Sequence, residues 1–229
     1  MQRSYEPTTK QVFLNRLSEF LIHNRVWLLG LLISLAAFVG IYAIVTEVRK
    51  NRIESSTILV ENVQELVSEW RGEEDEEIAG ELAEQMFANI ETIITDYPNL
   101  YAGLRALFLR GSLYYDLEEF ELAAEDFAEV AERFSKSYLA PVALVNAAVA
   151  MEEDDSPQIA LRYYNQVLEE YSDVYPGIAA VLFDLGRISE GLDNVEDAML
   201  YYNQIVDEYT SSSWTNLARN RIIHLNASR

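Results

Sequence analysis

LFLRGSLYYDLEEFELAAEDFAEVAERF, residues 107–134, sets a pattern that returns at 144–171 (LVNAAVAMEEDDSPQIALRYYNQVLEEY) and at 182–209 (LFDLGRISEGLDNVEDAMLYYNQIVDEY). Each copy opens on a leucine: Leu107, Leu144 and Leu182. Four places on stands a small residue, Gly111, Ala148 or Gly186. Twelve further is an alanine, Ala123, Ala160 or Ala198, and four beyond it an aromatic, Phe127, Tyr164 or Tyr202. A second aromatic closes each copy at Phe134, Tyr171 and Tyr209. The alanines lie 37 and then 38 residues apart, so the copies differ only in the connector between them.

Such spacing predicts a helix–turn–helix unit in tandem. A small residue on the first helix and an alanine on the second let two backbones approach, and the aromatics share one stripe of the second helix. One pair cannot bury its apolar face alone, so the units stack. The pattern resembles the tetratricopeptide repeat, whose period is ~34 residues with small residues at positions eight and twenty. Leu107, Gly111, Tyr114, Ala123 and Phe127 match that consensus in the first copy. The second keeps Leu144, Ala148, Ala160 and Tyr164, with Met151 in the tyrosine place, and the third keeps Leu182, Gly186, Ala198 and Tyr202, with Ser189 there. The resemblance implies repeats at 104–137, 141–174 and 179–212. Ile90, Tyr97 and Pro98 fit the end of a degenerate half repeat at 78–98, and 213–226 is expected to form a capping helix. The expected fold is all-α: one N-terminal transmembrane helix, then a right-handed α-solenoid of about three and a half helix pairs with a C-terminal cap, together 78–229.

Upstream, residues 1–9 are polar and expected to be loose. Phe13, Leu14, Leu17, Phe20 and Leu21 recur at helical intervals within 10–24, which fits a short helix on a membrane surface or a lead-in to the next segment. Residues 26–46, VWLLGLLISLAAFVGIYAIVT, carry no charge and at ~1.5 Å per residue span a ~30 Å hydrocarbon core. Trp27 and Tyr42 lie near its ends, where amphipathic rings favour the interface. The apolar run is longer than that of a cleaved signal peptide, and no small-residue cleavage site follows. Four basic residues precede the span (Arg3, Lys10, Arg16, Arg25) and three follow (Arg49, Lys50, Arg52), a bias that places 1–25 in the cytoplasm. Segment 47–77 reads as a helical connector with an acidic loop. Its stripe of Ile53, Val60, Val63, Val67 and Trp70 suits either packing on the first repeat or self-association through 49–70.

Formal charge divides the chain: net +4 over residues 1–52 and -25 over the rest. Such an acidic surface repels phosphate and argues against nucleic acid as a partner. There is no cysteine, which excludes thiol chemistry and cysteine-held metals. His23 and His224 have no nucleophile or ligand partner nearby in sequence. Glu152-Glu153-Asp154-Asp155 lacks the alternating spacing of a calcium loop and reads as a solvated turn, like Glu118-Glu119 one copy earlier. No phosphate loop, catalytic elbow or cofactor fingerprint occurs. The chain reads as a non-enzyme without cofactor or metal.

Binding remains. In the tetratricopeptide family the second, fifth, ninth and twelfth positions of each repeat face a groove. Here these are Arg105, Phe108, Ser112 and Tyr115, then Val142, Val145, Val149 and Glu152, then Ala180, Phe183, Arg187 and Glu190. Relatives that grip acidic chaperone tails carry lysine and asparagine there; this chain has Phe and Val, which suits apolar segments bearing basic residues. The layout is similar to bacterial inner-membrane proteins of the ancillary Sec-translocon subunit type. Over residues 97–226 it also resembles the periplasmic repeat domain of the Tol-Pal-associated cell-division coordinator. Both resemblances imply a scaffold of the cell envelope with the repeats in the periplasm, meeting envelope or secretory-pathway proteins. A structural subunit of a large envelope machine is the alternative.

Overall fold

A computed structural model describes residues 9–227, and among them every regular element is an α-helix. The chain falls into two compact units that divide at Ser55 and Ser56. The predicted loose lead, apart from Thr9, lies outside the described residues. The first unit holds α1 (Thr9–His23) and the start of α2 (Arg25–Gly72). Side chains of α2 from Val26 to Val45 are almost all exposed, and the helix is long and apolar enough to cross a membrane.

From Ser56 onward α2 belongs to the second unit. Val60, Val63 and Val67 are buried there in one hydrophobic core, beside the half-buried Leu66 and Trp70. Most of the stripe that left self-association open is therefore covered within the chain, while Ile53 stays exposed. Arg71 donates to Asp116 at 2.5 Å, tying the end of α2 to the end of α4 (Tyr101–Asp116). Four helices of a first kind, which we call A, thus precede four of a second kind, B. The pairs are α2 with α3 (Glu76–Asp96), α4 with α5 (Phe120–Arg133), α6 (Leu139–Glu153) with α7 (Pro157–Tyr171), and α8 (Ile178–Gly191) with α9 (Val195–Glu208). Helix α10 (Trp214–Ala227) follows as the last A-type helix. The segment expected as a half repeat, 78–98, falls on α3 and its end. Asp75 starts α3 by accepting from the backbone N–H groups of Glu77 and Ile78, the ordinary remedy for unpaired donors at a helix start.

The repeat landmarks meet inside each pair. Leu107, Ala123 and Phe127, then Leu144, Ala148, Ala160 and Tyr164, then Leu182, Ala198 and Tyr202 are buried, with Tyr114 partly so. Gly111 and Gly186 are also buried. A Cβ on Gly111 would lie 3.1 Å from the Phe127 ring; one on Gly186 would lie 2.5 Å from that of Tyr202. Between A and B helices, Glu118, Asp155 and Asp193 each take a left-handed conformation (φ 61°, 54° and 60°). The next N–H reaches back five residues in each: Glu119 to Tyr114, Ser156 to Met151, Asn194 to Ser189, at 2.8–2.9 Å. These bonds cap the orphan carbonyls of the A helix.

A buried ion pair braces the first two pairs. Arg110 of α4 grips Asp126 of α5 with two bonds of 2.8 and 2.7 Å and reaches Glu91 of α3 at 2.6 Å. Removing one partner of such a pair strands the other charge at a cost of about 3–5 kcal/mol.

Three substitutions separate these devices. Gly186→Ala gains ~1 kcal/mol of helix propensity, but the 2.5 Å approach to a ring anchored at both ends forces a shift, so a net loss of about 1–2 kcal/mol is expected. Gly111→Ala, at 3.1 Å, should come out within about 1 kcal/mol of neutral. Glu118→Gly relieves a left-handed non-glycine and should raise stability by about 0.5–1 kcal/mol. Denaturant unfolding of the three variants checks the order.

A candidate protein-docking face

Helices α4, α6 and α8 carry the groove positions expected from the sequence, and the structure divides those residues in two. One set is engaged inside the chain. Phe108 meets Phe127 edge to face, with centroids 5.2 Å apart. Phe183 lies between Tyr202 and Trp214, at 5.5 and 5.0 Å. Ser112 donates its hydroxyl to the Phe108 carbonyl at 2.9 Å. Tyr115 meets Phe120 edge to face at 5.4 Å.

Glu152, Arg187 and Glu190 form a repeated device. Glu152, twelfth in its copy, accepts from Arg187, ninth in the next, at 2.6 Å, and from the Tyr164 hydroxyl at 3.0 Å. Glu190, again twelfth, accepts from Nε and Nη2 of Arg221 on α10 and from the Tyr202 hydroxyl at 3.2 Å. Each carboxylate thus joins its own B helix to the next A helix. From the sequence, Glu152, Arg187 and Glu190 are expected to face the groove, and Arg221 falls in the expected capping helix. The signal was an acid at position twelve facing a base at position nine of the following unit.

The other set is half-buried: Arg105, Val142, Val145, Val149 and Ala180, of which Val145 packs against the core. Val149 lies with Ser112 and Tyr115 around a cavity of about 350 Å³ between α4 and α6, completed by Asp116, Phe127 and Asn146. Val142 instead lines a larger hollow of about 660 Å³ near the loops at the far end, with Tyr138, Tyr171 and Tyr175 among its neighbours. Val142 and Val149 thus line different hollows. Asp116, Asn146 and the second hollow were not singled out from sequence.

Burial raises the tyrosines of the Glu–Tyr–Arg sets. Tyr202 is pushed up to about 12, first by loss of solvent and then by the neighbouring Glu190 carboxylate. Tyr164 moves in the same direction through burial, Asp184 and Glu152.

Models of the tetratricopeptide repeat match residues 105–137 and 142–213. Over those residues the chain is similar to the tetratricopeptide repeat. No curated protein matches the chain. A tetratricopeptide stack is a protein–protein interaction scaffold, and the face just described is where its A helices are laid side by side.

The raised tyrosines make an alkaline prediction. Below pH ~10, the ordinary tyrosine value, folded and unfolded chains hold the same protons. Between there and about 12, the folded chain keeps the Tyr202 proton that the unfolded chain has released. The contribution is therefore whole below pH ~10 and lost as pH climbs through about 12. The urea midpoint should fall over that window, and Tyr202→Phe should make the fall shallower.

Proposed function

We propose that this protein is a membrane-anchored docking scaffold of the bacterial cell envelope. In this reading residues 1–25 lie in the cytoplasm, α2 crosses the inner membrane through 26–46, and the repeats work in the periplasm. There they hold segments of envelope or secretory-pathway proteins. The observation that carries the reading is the pairing of an uncovered apolar helix with a tetratricopeptide stack whose A-helix face keeps Val145, Val149 and a cavity accessible. Charge agrees: the basic excess flanks the span, whereas the acidic repeats attract partners with basic segments. Within this reading the repeats bind and do not catalyse; the two arginine-bridged carboxylates have structural work to do.

Sidedness and docking can be tested on the full chain. Alkaline carbonate should leave it in the membrane fraction. Protease added to spheroplasts should digest the repeats, and digestion only after lysis would overturn the periplasmic placement. A photo-crosslinking residue at Val145 should give adducts with other proteins in cells, while one at Leu200, exposed on α9, should give far fewer. One fixed stoichiometric adduct would favour the structural-subunit alternative over transient docking.

A further inference from the structure

The A-helix seams of the repeat stack are not equivalent. At the seam between α6 and α8, Arg187 bridges to Glu152; between α8 and α10, Arg221 bridges to Glu190; between α2 and α4, Arg71 bridges to Asp116. Between α4 and α6 no ion pair occurs among the described residues. The positions that build the bridge elsewhere are here Tyr115 for the glutamate, Phe127 for the tyrosine and Val149 for the arginine. These three residues lie on the 350 Å³ cavity. The space that an arginine fills at both later seams is open at this one.

We propose that this cavity takes an arginine side chain from a partner protein, in the place that Arg187 and Arg221 occupy at the following seams. The proposal rests on the docking function above and specifies the chemistry of its ligand. Phe127 and Val149 offer an apolar wall to the aliphatic stem, and aromatic faces favour a flat guanidinium over an ammonium. Asp116 supplies the anion: Arg71 occupies its Oδ2, and a carboxylate can accept further bonds through Oδ1. The Asn146 side chain makes no hydrogen bond within the chain among the described residues, and its amide oxygen can accept another donor. Burial, and then the negative charge of Glu153 and Asp116, raises the Tyr115 hydroxyl above its ordinary value.

The chain's own arginines do not serve. Arg110 is held by Asp126 and Glu91, and Arg71 lies on Asp116 from the α2 side. Arg105 sits ten residues before Tyr115, about 15 Å back along the helix. A partner must bring the cation, and the net -25 of residues 53–229 draws it in.

The test uses full-length protein in detergent micelles and labelled dodecapeptides with a central arginine, lysine or citrulline in otherwise identical sequences. Fluorescence anisotropy should give arginine peptides binding about ten-fold tighter than citrulline ones, with lysine between them. The double variant Tyr115→Glu/Val149→Arg rebuilds the missing bridge; it should unfold no earlier than wild type and lose the arginine preference. Asp116→Asn keeps the cavity and removes its charge, so it should lose that preference even where the double variant does not fold. Equal binding of arginine and citrulline peptides, or a preference that survives both variants, would overturn the inference while leaving the docking function standing. Absence of binding by every peptide would overturn both.

Discussion

Close approach of two helix backbones at one small residue governs the repeat unit. Gly111, Ala148 and Gly186 let each A helix settle onto an aromatic ring of its own B helix, and the ring fills the space that a larger residue would claim. Because the contact lies within a pair, each pair is locally defined, yet its outer faces remain apolar and must be covered by a neighbour. That requirement draws in Ser56–Gly72 of α2 at one end and α10 at the other. Trp214 of α10 meets Phe183 at one end, and Val60, Val63 and Val67 of α2 are buried in the same core at the other.

Landmarks of this kind are legible in a sequence because they combine fixed spacing with extreme side-chain size. Glycine or alanine followed at twelve residues by alanine and at sixteen by an aromatic has few readings besides a packed pair of helices. The valine stripe of α2 was less readable, since Val60, Val63 and Val67 announce an apolar face without saying what it meets. Charge was the least readable feature. Asp126 is one of 38 acidic residues, and only the fold brings Arg110, sixteen positions back, against it. Glu152 and Arg187 are 35 positions apart and touch only because one repeat separates them. An acidic residue on a helix ordinarily reads as solvated, so the bridges appear once the period is used to align position twelve of one copy with position nine of the next.

That alignment also shows where the proposed face differs from the simple groove expected from the family. Phe108 and Phe183 were expected to floor a binding surface, but each has an aromatic partner within the chain. Three of the acids and bases expected at its edge join neighbouring units. On α6, Val145 and Val149 stay half-buried, and Val149 lines the cavity beside α4.

The first two full repeats can do without a bridge because they are already held closely by other means. Helix α6 buries the stripe Ala140, Ala143, Ala147 and Ala150, all fully inaccessible. One period later the same places in α8 are Ile178, Val181, Leu185 and Ile188. Small side chains bring two helix backbones together, and larger ones hold them apart. Accordingly α5 packs along α6 far more extensively than α7 packs along α8. The wider seam is the one reinforced by Arg187 and Glu152, while the tight alanine seam holds without help. Stability at that junction thus comes from B-to-A packing on the inner side, which frees Tyr115, Val149 and their neighbours on the A-helix face from a bracing role. A cavity can persist there because closing it is not what keeps the repeats together.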